Sequence, residues 1–163
     1  MRKNSGLWLS LCLSNLVLTV SLAAATPALT TALSSPAIAQ ANKKENVGGS
    51  LAEQLQGKPV VVDIYASWCS ACRNVAPTLS QLRQQYAGSV HFVVLDVSDR
   101  STTNQAERRA RELRLGQFFD ANRSQTGMIT IIDPATGNIL AQHRNNPNKS
   151  VYTTVLNAAI SQR

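Results

Sequence analysis

Short apolar runs and helical stripes succeed one another along this chain. From Val60 the residues Val61, Val62 and Ile64 form a run rich in β-branched side chains that ends at Trp68. A run of that kind reads as a buried strand. Beyond Cys72, Val75, Leu79, Leu82 and Tyr86 recur at spacings of four, three and four, which is one stripe of a helix. Pro77 falls inside that helix, removes a backbone donor and predicts a kink; Gly88 closes it. Val90 to Val97 is a second strand, with the continuous apolar character of a parallel interior strand. Ser98 to Gly116 reads as one polar helix capped by Ser101 or Thr102. Met128 to Asp133 and Asn138 to His143 are strands joined by the turn Pro134–Gly137, an antiparallel hairpin. Val151, Val155, Leu156 and Ala159 or Ile160 make the stripe of a last helix over 148–162. Ahead of the first strand, Ser50 and Glu53 suggest a capping box on a short helix through Gln56, ended by Gly57. The order α-β-α-β-α-β-β-α predicts an α/β sandwich with two parallel crossovers and a hairpin.

The N-terminal pattern differs. Arg2 and Lys3 precede an apolar stretch from about Leu7 to Ala25, interrupted by Ser, Asn and Thr. Ala37, Ala39 and Ala41 fit an A-x-A cleavage site, with cleavage expected after Ala39. Residues 1–39 therefore read as a signal peptide. The alternative is an uncleaved anchor, with residues 7–25 as a membrane tether, because the stretch approaches a bilayer-spanning length. Asn15 and the scattered hydroxyls count against it. Residues 40–49, with Lys43, Lys44, Glu45 and Gly48-Gly49, read as a linker, which leaves 50–163 as the domain. A length of 163 residues and an apolar fraction of 44% suit one ordinary folded domain.

Charge adds little to this picture. The 16 Lys and Arg outnumber the 9 Asp and Glu, for a net charge of +7. Arg108, Arg109, Arg111 and Arg114 are interleaved with Glu107 and Glu112, the pattern of a solvated helix face with local pairs such as Glu107 with Arg111. A docking surface for an acidic partner is the alternative. Nucleic acid is disfavoured as a partner, because Phe118 and Phe119 sit together like core residues instead of alternating with the charges.

The candidate chemistry lies in the cysteines. Cys12 falls in the leader, and Leu11 before it is not the small residue that a lipoprotein signal requires. Cys69 and Cys72 remain for the mature chain. A two-residue gap makes a poor structural staple, since so small a loop removes little unfolded-state entropy. At the start of a helix, unsatisfied N–H groups and the helix dipole favour a thiolate on Cys69. That thiolate attacks a partner disulfide, and Cys72 resolves the mixed disulfide. Zinc needs two further ligands, and no other mature cysteine supplies them. His91 and His143 are the only histidines, so copper through the two thiolates and a histidine is the remaining metal reading. Neither metal nor cofactor is assigned. Asp63 lies in an apolar strand six residues before Cys69, where desolvation raises its pKa. The plainer reading is a strand-end Asp satisfied by backbone donors. Trp68 offers a flat contact to substrate chains and cover for the disulfide, or simple packing. Arg73 either stabilises the thiolate or is a solvated helix residue.

Asp63, Trp68, Cys69, Cys72 and Pro77 stand in the order and spacing of the thioredoxin family, which this chain resembles over roughly residues 48–163, with a close match only over residues 60–77. The usual Gly-Pro between the cysteines is here Ser70-Ala71. The resemblance implies a thioredoxin fold with a central mixed sheet of about four strands flanked by helices, and a kinked helix at Pro77. It also implies that Asp63 is a proton acceptor for the buried cysteine. The family carries a cis-proline loop opposite the cysteine pair, at or near position 127, where this chain has Thr126-Gly127-Met128 and no proline. A cis bond ahead of a non-proline residue costs about 2.5 to 4 kcal/mol, so a trans loop is expected. The backbone of Thr126 and Gly127 would then meet the substrate.

Two functions follow. One is a thiol-disulfide oxidoreductase that exchanges disulfides with exported proteins through Cys69 and Cys72 and is served by an upstream redox partner. The other is a thioredoxin-fold binding module with weak turnover, holding a partner or a metal, which the missing proline favours. Periplasm and thylakoid lumen both fit an exported chain.

Overall fold

The computed structural model describes residues 45–163. The signal peptide, the cleavage site, the tether and Cys12 lie outside the described residues. Four strands form one sheet: β1 (Val60–Tyr65), β2 (His91–Asp96), β3 (Met128–Ile132) and β4 (Ile139–Arg144), in the order β2-β1-β3-β4. β1 and β2 are parallel, with Asp63 opposite Val94. β1 and β3 are antiparallel, with Asp63 opposite Ile129, and β3–β4 is an antiparallel hairpin. Helix α1 (Ser70–Gln85) connects β1 to β2. Helices α2 (Arg100–Glu112) and α3 (Gly116–Asn122) connect β2 to β3, and α4 (Lys149–Ser161) ends the chain.

The pleat of β1 divides the core into two layers. Val60, Val62 and Ile64 pack with Ala106, Ala110, Phe118 and Phe119 of α2 and α3. Val61 points to the other side, with Val75, Leu79 and Leu82 of α1 and Tyr152 and Leu156 of α4. By the same alternation Asp63 points toward α1. The acid is thereby buried among the side chains of that layer, and this fact of register creates the site.

Four expectations are corrected. β2 is an edge strand, not an interior one, and its Val94 is exposed. Only one crossover is parallel, because β3 enters antiparallel to β1. The segment 98–116 is not one helix. Its cap is Asp99, whose side chain accepts from the Thr102 N–H while the Thr102 hydroxyl accepts from the Asp99 N–H. Leu113 and Leu115 are both buried, although positions two apart do not share one face of a helix, and Arg114 breaks the helix between them at φ 60°. α3 then carries both phenylalanines inward. Finally, the short helix before β1 is a single 3-10 turn, Glu53–Leu55, with no side-chain cap, so Ser50 and Glu53 form no capping box.

Part of the stretch read as linker is packed. Asn46 bridges Asn138 beside β4, and Val47 is buried against the α3 layer.

Candidate active site

Cys69 is the N-cap of α1, and its Sγ accepts from the Cys72 N–H at 3.0 Å. The two cysteines form a disulfide, with Cα atoms 5.2 Å apart. Both are buried in a small cluster with Ala66 and Ala71. The Cys72 N–H at the helix terminus points at the Cys69 sulfur, so a thiolate there has a charge-assisted donor already aligned.

The turn before α1 is fastened to the turn after β2. The Ser67 N–H donates to the Ser98 hydroxyl at 2.8 Å, and the Trp68 indole N–H donates to the Ser98 carbonyl at 3.0 Å. The Ser98 hydroxyl in turn donates to Asp96 Oδ1 at 2.5 Å. Trp68 is 62% exposed, beside a disulfide that is itself covered. Ser98 and Asp96 were not singled out from the sequence. The polar cluster Asp96–Asp99 directly after a strand was the available signal for a turn at the same sheet end as the cysteines.

Asp63 is buried beneath α1, and its Oδ1 has no hydrogen-bond partner among the described residues. Burial pushes its pKa from 3.8 up to about 6, against the pull of the Arg83 guanidinium. Asp63, Tyr65, Cys72, Ala76, Ser80 and Arg83 line a cleft of about 330 Å³. The cleft brings the acid of β1 together with the second cysteine and a cation, both from α1. Arg83 was not among the sequence candidates; it lies three turns along α1 from Cys72 and is also within 5.8 Å of the Phe92 ring. Tyr152 senses the same acid: burial and the Asp63 carboxylate raise its pKa to about 12. A larger groove, about 700 Å³ and lined by Asn46, Gln117 and Ile139, shares no residue with this cleft.

Opposite the cysteines runs the Thr126–Gly127 loop. No peptide bond among the described residues is cis, as expected for this loop. Gly127 has φ +78°, and a Cβ there would lie 2.6 Å from the Ala71 Cβ and 3.1 Å from the Cys72 nitrogen. The loop is therefore pressed onto the Cys-x-x-Cys turn, small residue against small residue. Its N–H donates to the Ile64 carbonyl at 2.8 Å, and its carbonyl accepts from the Asn145 N–H at 2.9 Å. A proline at 127 would lose the first bond and could not adopt the positive φ. The Thr126 carbonyl is also occupied, by Arg144 Nε at 3.1 Å.

The histidines stand apart from this cleft. His91 opens β2, where burial and Lys58 lower its pKa, and His143 on β4 meets the Tyr152 ring edge-on at 5.4 Å. Among the described residues no three of His, Cys, Asp and Glu converge as a metal site would require.

Comparison with known proteins agrees with this geometry. Residues 40–109, which include β1, the cysteine pair, α1 and β2, match the thioredoxin family model. The chain is 44% identical over 43 residues to the thiol:disulfide interchange protein TxlA homolog of Synechocystis, a match covering 26% of this chain and 24% of that protein. It is 49% identical over 43 residues to the chloroplastic thioredoxin-like protein HCF164 of Arabidopsis thaliana, covering 26% and 16%. A Synechocystis thioredoxin is 40% identical over 68 residues, covering 42% and 58%. The chain thus spans a quarter or less of the first two relatives' length. With its four-stranded mixed sheet and its disulfide at the start of α1, the chain has the thioredoxin fold, and the segment that builds its site is similar to the thioredoxin family.

Proposed function

We propose that the protein is a thiol-disulfide oxidoreductase acting on protein cysteines. The observation that carries this is the Cys69–Cys72 disulfide at the start of α1, with the unpartnered Asp63 lining the same cleft as Cys72. In the reducing direction the Cys69 thiolate attacks a client disulfide. A Cys69–client bond forms, the client S–S bond breaks, and the first client sulfur leaves as thiolate. Asp63 accepts the Cys72 proton through the cleft, and the Cys72 thiolate attacks Cys69. The Cys69–Cys72 disulfide forms and the second client thiolate departs, so two electrons pass from the pair to the client. The oxidising direction runs the same steps backward. Trp68 and the Thr126–Gly127 loop flank the client, and an upstream partner restores the pair.

Residues 1–39 serve as a leader or anchor that delivers the domain to the periplasm or thylakoid lumen. The cyanobacterial and chloroplastic relatives support that placement. Among the described residues no helix is long and apolar enough to cross a membrane.

The test is a trap. With Cys72→Ser, Cys69 should accumulate mixed disulfides with client proteins in its own compartment, visible on non-reducing gels and absent when Cys69→Ser is added. A second reading, a binding module with weak turnover, draws on the occupied Thr126 carbonyl, which leaves a client strand one backbone partner fewer. An empty trap from a protein whose pair still cycles with a small dithiol would favour it.

A further inference from the structure

We propose that Arg144 makes this site selective for client segments that carry a carboxylate beside the reactive cysteine; the proposal rests on the exchange reading above. Arg144 is the last residue of β4, and it is tied to the active-site loop through Nε and the Thr126 carbonyl at 3.1 Å. The neighbouring Asn145 continues the tie: its N–H donates to the Gly127 carbonyl, and its side-chain carbonyl accepts from the Asn74 amide on α1 at 3.0 Å. The guanidinium is thus held at the loop that lies against Ala71 and Cys72.

Only one of its nitrogens is used. Among the described residues Arg144 has no carboxylate partner, and its remaining N–H groups meet no protein acceptor. Residues 1–44 contain no Asp or Glu that could supply one. The acids on the β2–α2 turn, at the same end of the sheet, are engaged, Asp96 by Ser98 and Asp99 by the cap of α2. Arg73, also exposed, adds a second cation directly after Cys72. A planar fork with its outer edge open matches a carboxylate in two-point geometry. The arrangement therefore reads a client through one charge.

The test uses the reduced full chain carrying Cys72→Ser. Its probes are three short peptides, each with one cysteine in a mixed disulfide with nitrothiobenzoate, flanked by Glu, Gln or Lys. Cys69 thiolate attacks the peptide sulfur, the Cys69–peptide bond forms, and nitrothiobenzoate leaves as thiolate. Mass spectrometry assigns the adduct to Cys69 and separates it from any at Cys12. The readout is the ratio of adduct-formation rates with the Glu and Gln peptides, so a general change in rate cancels. A ratio of about five is expected, falling in high salt, with the Lys peptide slower than the Gln peptide. Arg144→Gln, which keeps a donor for the Thr126 carbonyl, should bring the ratio to about one, and Arg144→Lys should largely preserve it. A ratio near one in the parent, or one unchanged by Arg144→Gln, overturns the proposal while leaving exchange intact. No Cys69 adduct with any peptide overturns the exchange reading and this proposal with it.

Discussion

Asp63 and Gly127 each hold a state that water or an ordinary residue would not favour, and each yields a prediction. Asp63 has a folded-state pKa of about 6 against an ordinary 3.8, because desolvation outweighs Arg83. Folding therefore favours the protonated acid. Its benefit is complete below pH 3.8 and is lost as the pH rises through 6. Two units correspond to about 3 kcal/mol, so Asp63→Asn should stabilise the oxidised protein by up to about 3 kcal/mol at pH 8 and by little at pH 3.5. Urea unfolding at the two pH values measures this, and an equal effect at both would refute the desolvated carboxylate. The same variant should slow resolution by Cys72 if Asp63 accepts its proton. Gly127→Ala must place a side chain at φ +78° and into Ala71, and a loss of about 2 to 4 kcal/mol is expected from the two effects together. Gly88→Ala, also at positive φ but with open space around the Cβ, should lose only about 1 to 2 kcal/mol in the same thermal melts. The cysteines and the buried acid were legible from residue type and spacing. Arg83 and Arg144 were not, because a cation on a helix or strand end is ordinary until the fold shows which carboxylate or carbonyl it faces.

At the scale of elements, legibility followed burial. α1 was read correctly because Val75, Leu79 and Leu82 form one stripe facing one layer, and Pro77 sits within it as expected. β3 was read correctly because every residue in it is buried. β2 looked equally apolar and proved to be an edge, since hydrophobicity counts side chains and not the neighbours that cover them; Val94 faces solvent beside the Asp63 cleft. The break at Arg114 was hidden in a run of helix-favouring residues, because tertiary burial of Leu113 and Leu115 overrode propensity there. The cap of α2 allows a clean check. Asp99→Ala removes the acceptor for the Thr102 N–H and should cost about 1 kcal/mol. Glu107→Gln weakens the pair with Arg111 at 2.6 Å, yet that pair lies on an exposed helix face and is screened by solvent, so its loss should move the midpoint less than Asp99→Ala does. Denaturant midpoints should therefore rank a turn residue above an ion pair.

For the whole molecule, the question is where the folded unit begins. Composition placed a polar, glycine-containing linker through residue 49, and no period in so short a stretch could reveal otherwise. The physical signal is a single apolar residue, Val47, isolated among Lys, Glu, Asn and Gly. It is 3% exposed and packs in the layer of Leu51, Leu55 and Phe118. Its N–H donates to the Gly137 carbonyl at 2.9 Å, while the Asn46 amide donates to the Thr136 carbonyl and to Asn138 Oδ1, both at 2.9 Å. The strap thus closes the far end of the β3–β4 hairpin, the element whose other end holds Thr126 and Gly127 through Arg144 and Asn145. Val47→Ala in the full chain should cost about 2 kcal/mol, from the lost methyl burial and the cavity left behind. A substitution in a true linker would cost nothing measurable, so equal denaturant midpoints for Val47→Ala and the parent would return residues 45–49 to the linker. The loss at Val47 should leave the Glu-to-Gln peptide ratio at Cys69 unchanged, because the strap and Arg144 act at opposite ends of the hairpin. A fall in that ratio would mean instead that the strap sets the position of Arg144 through β4.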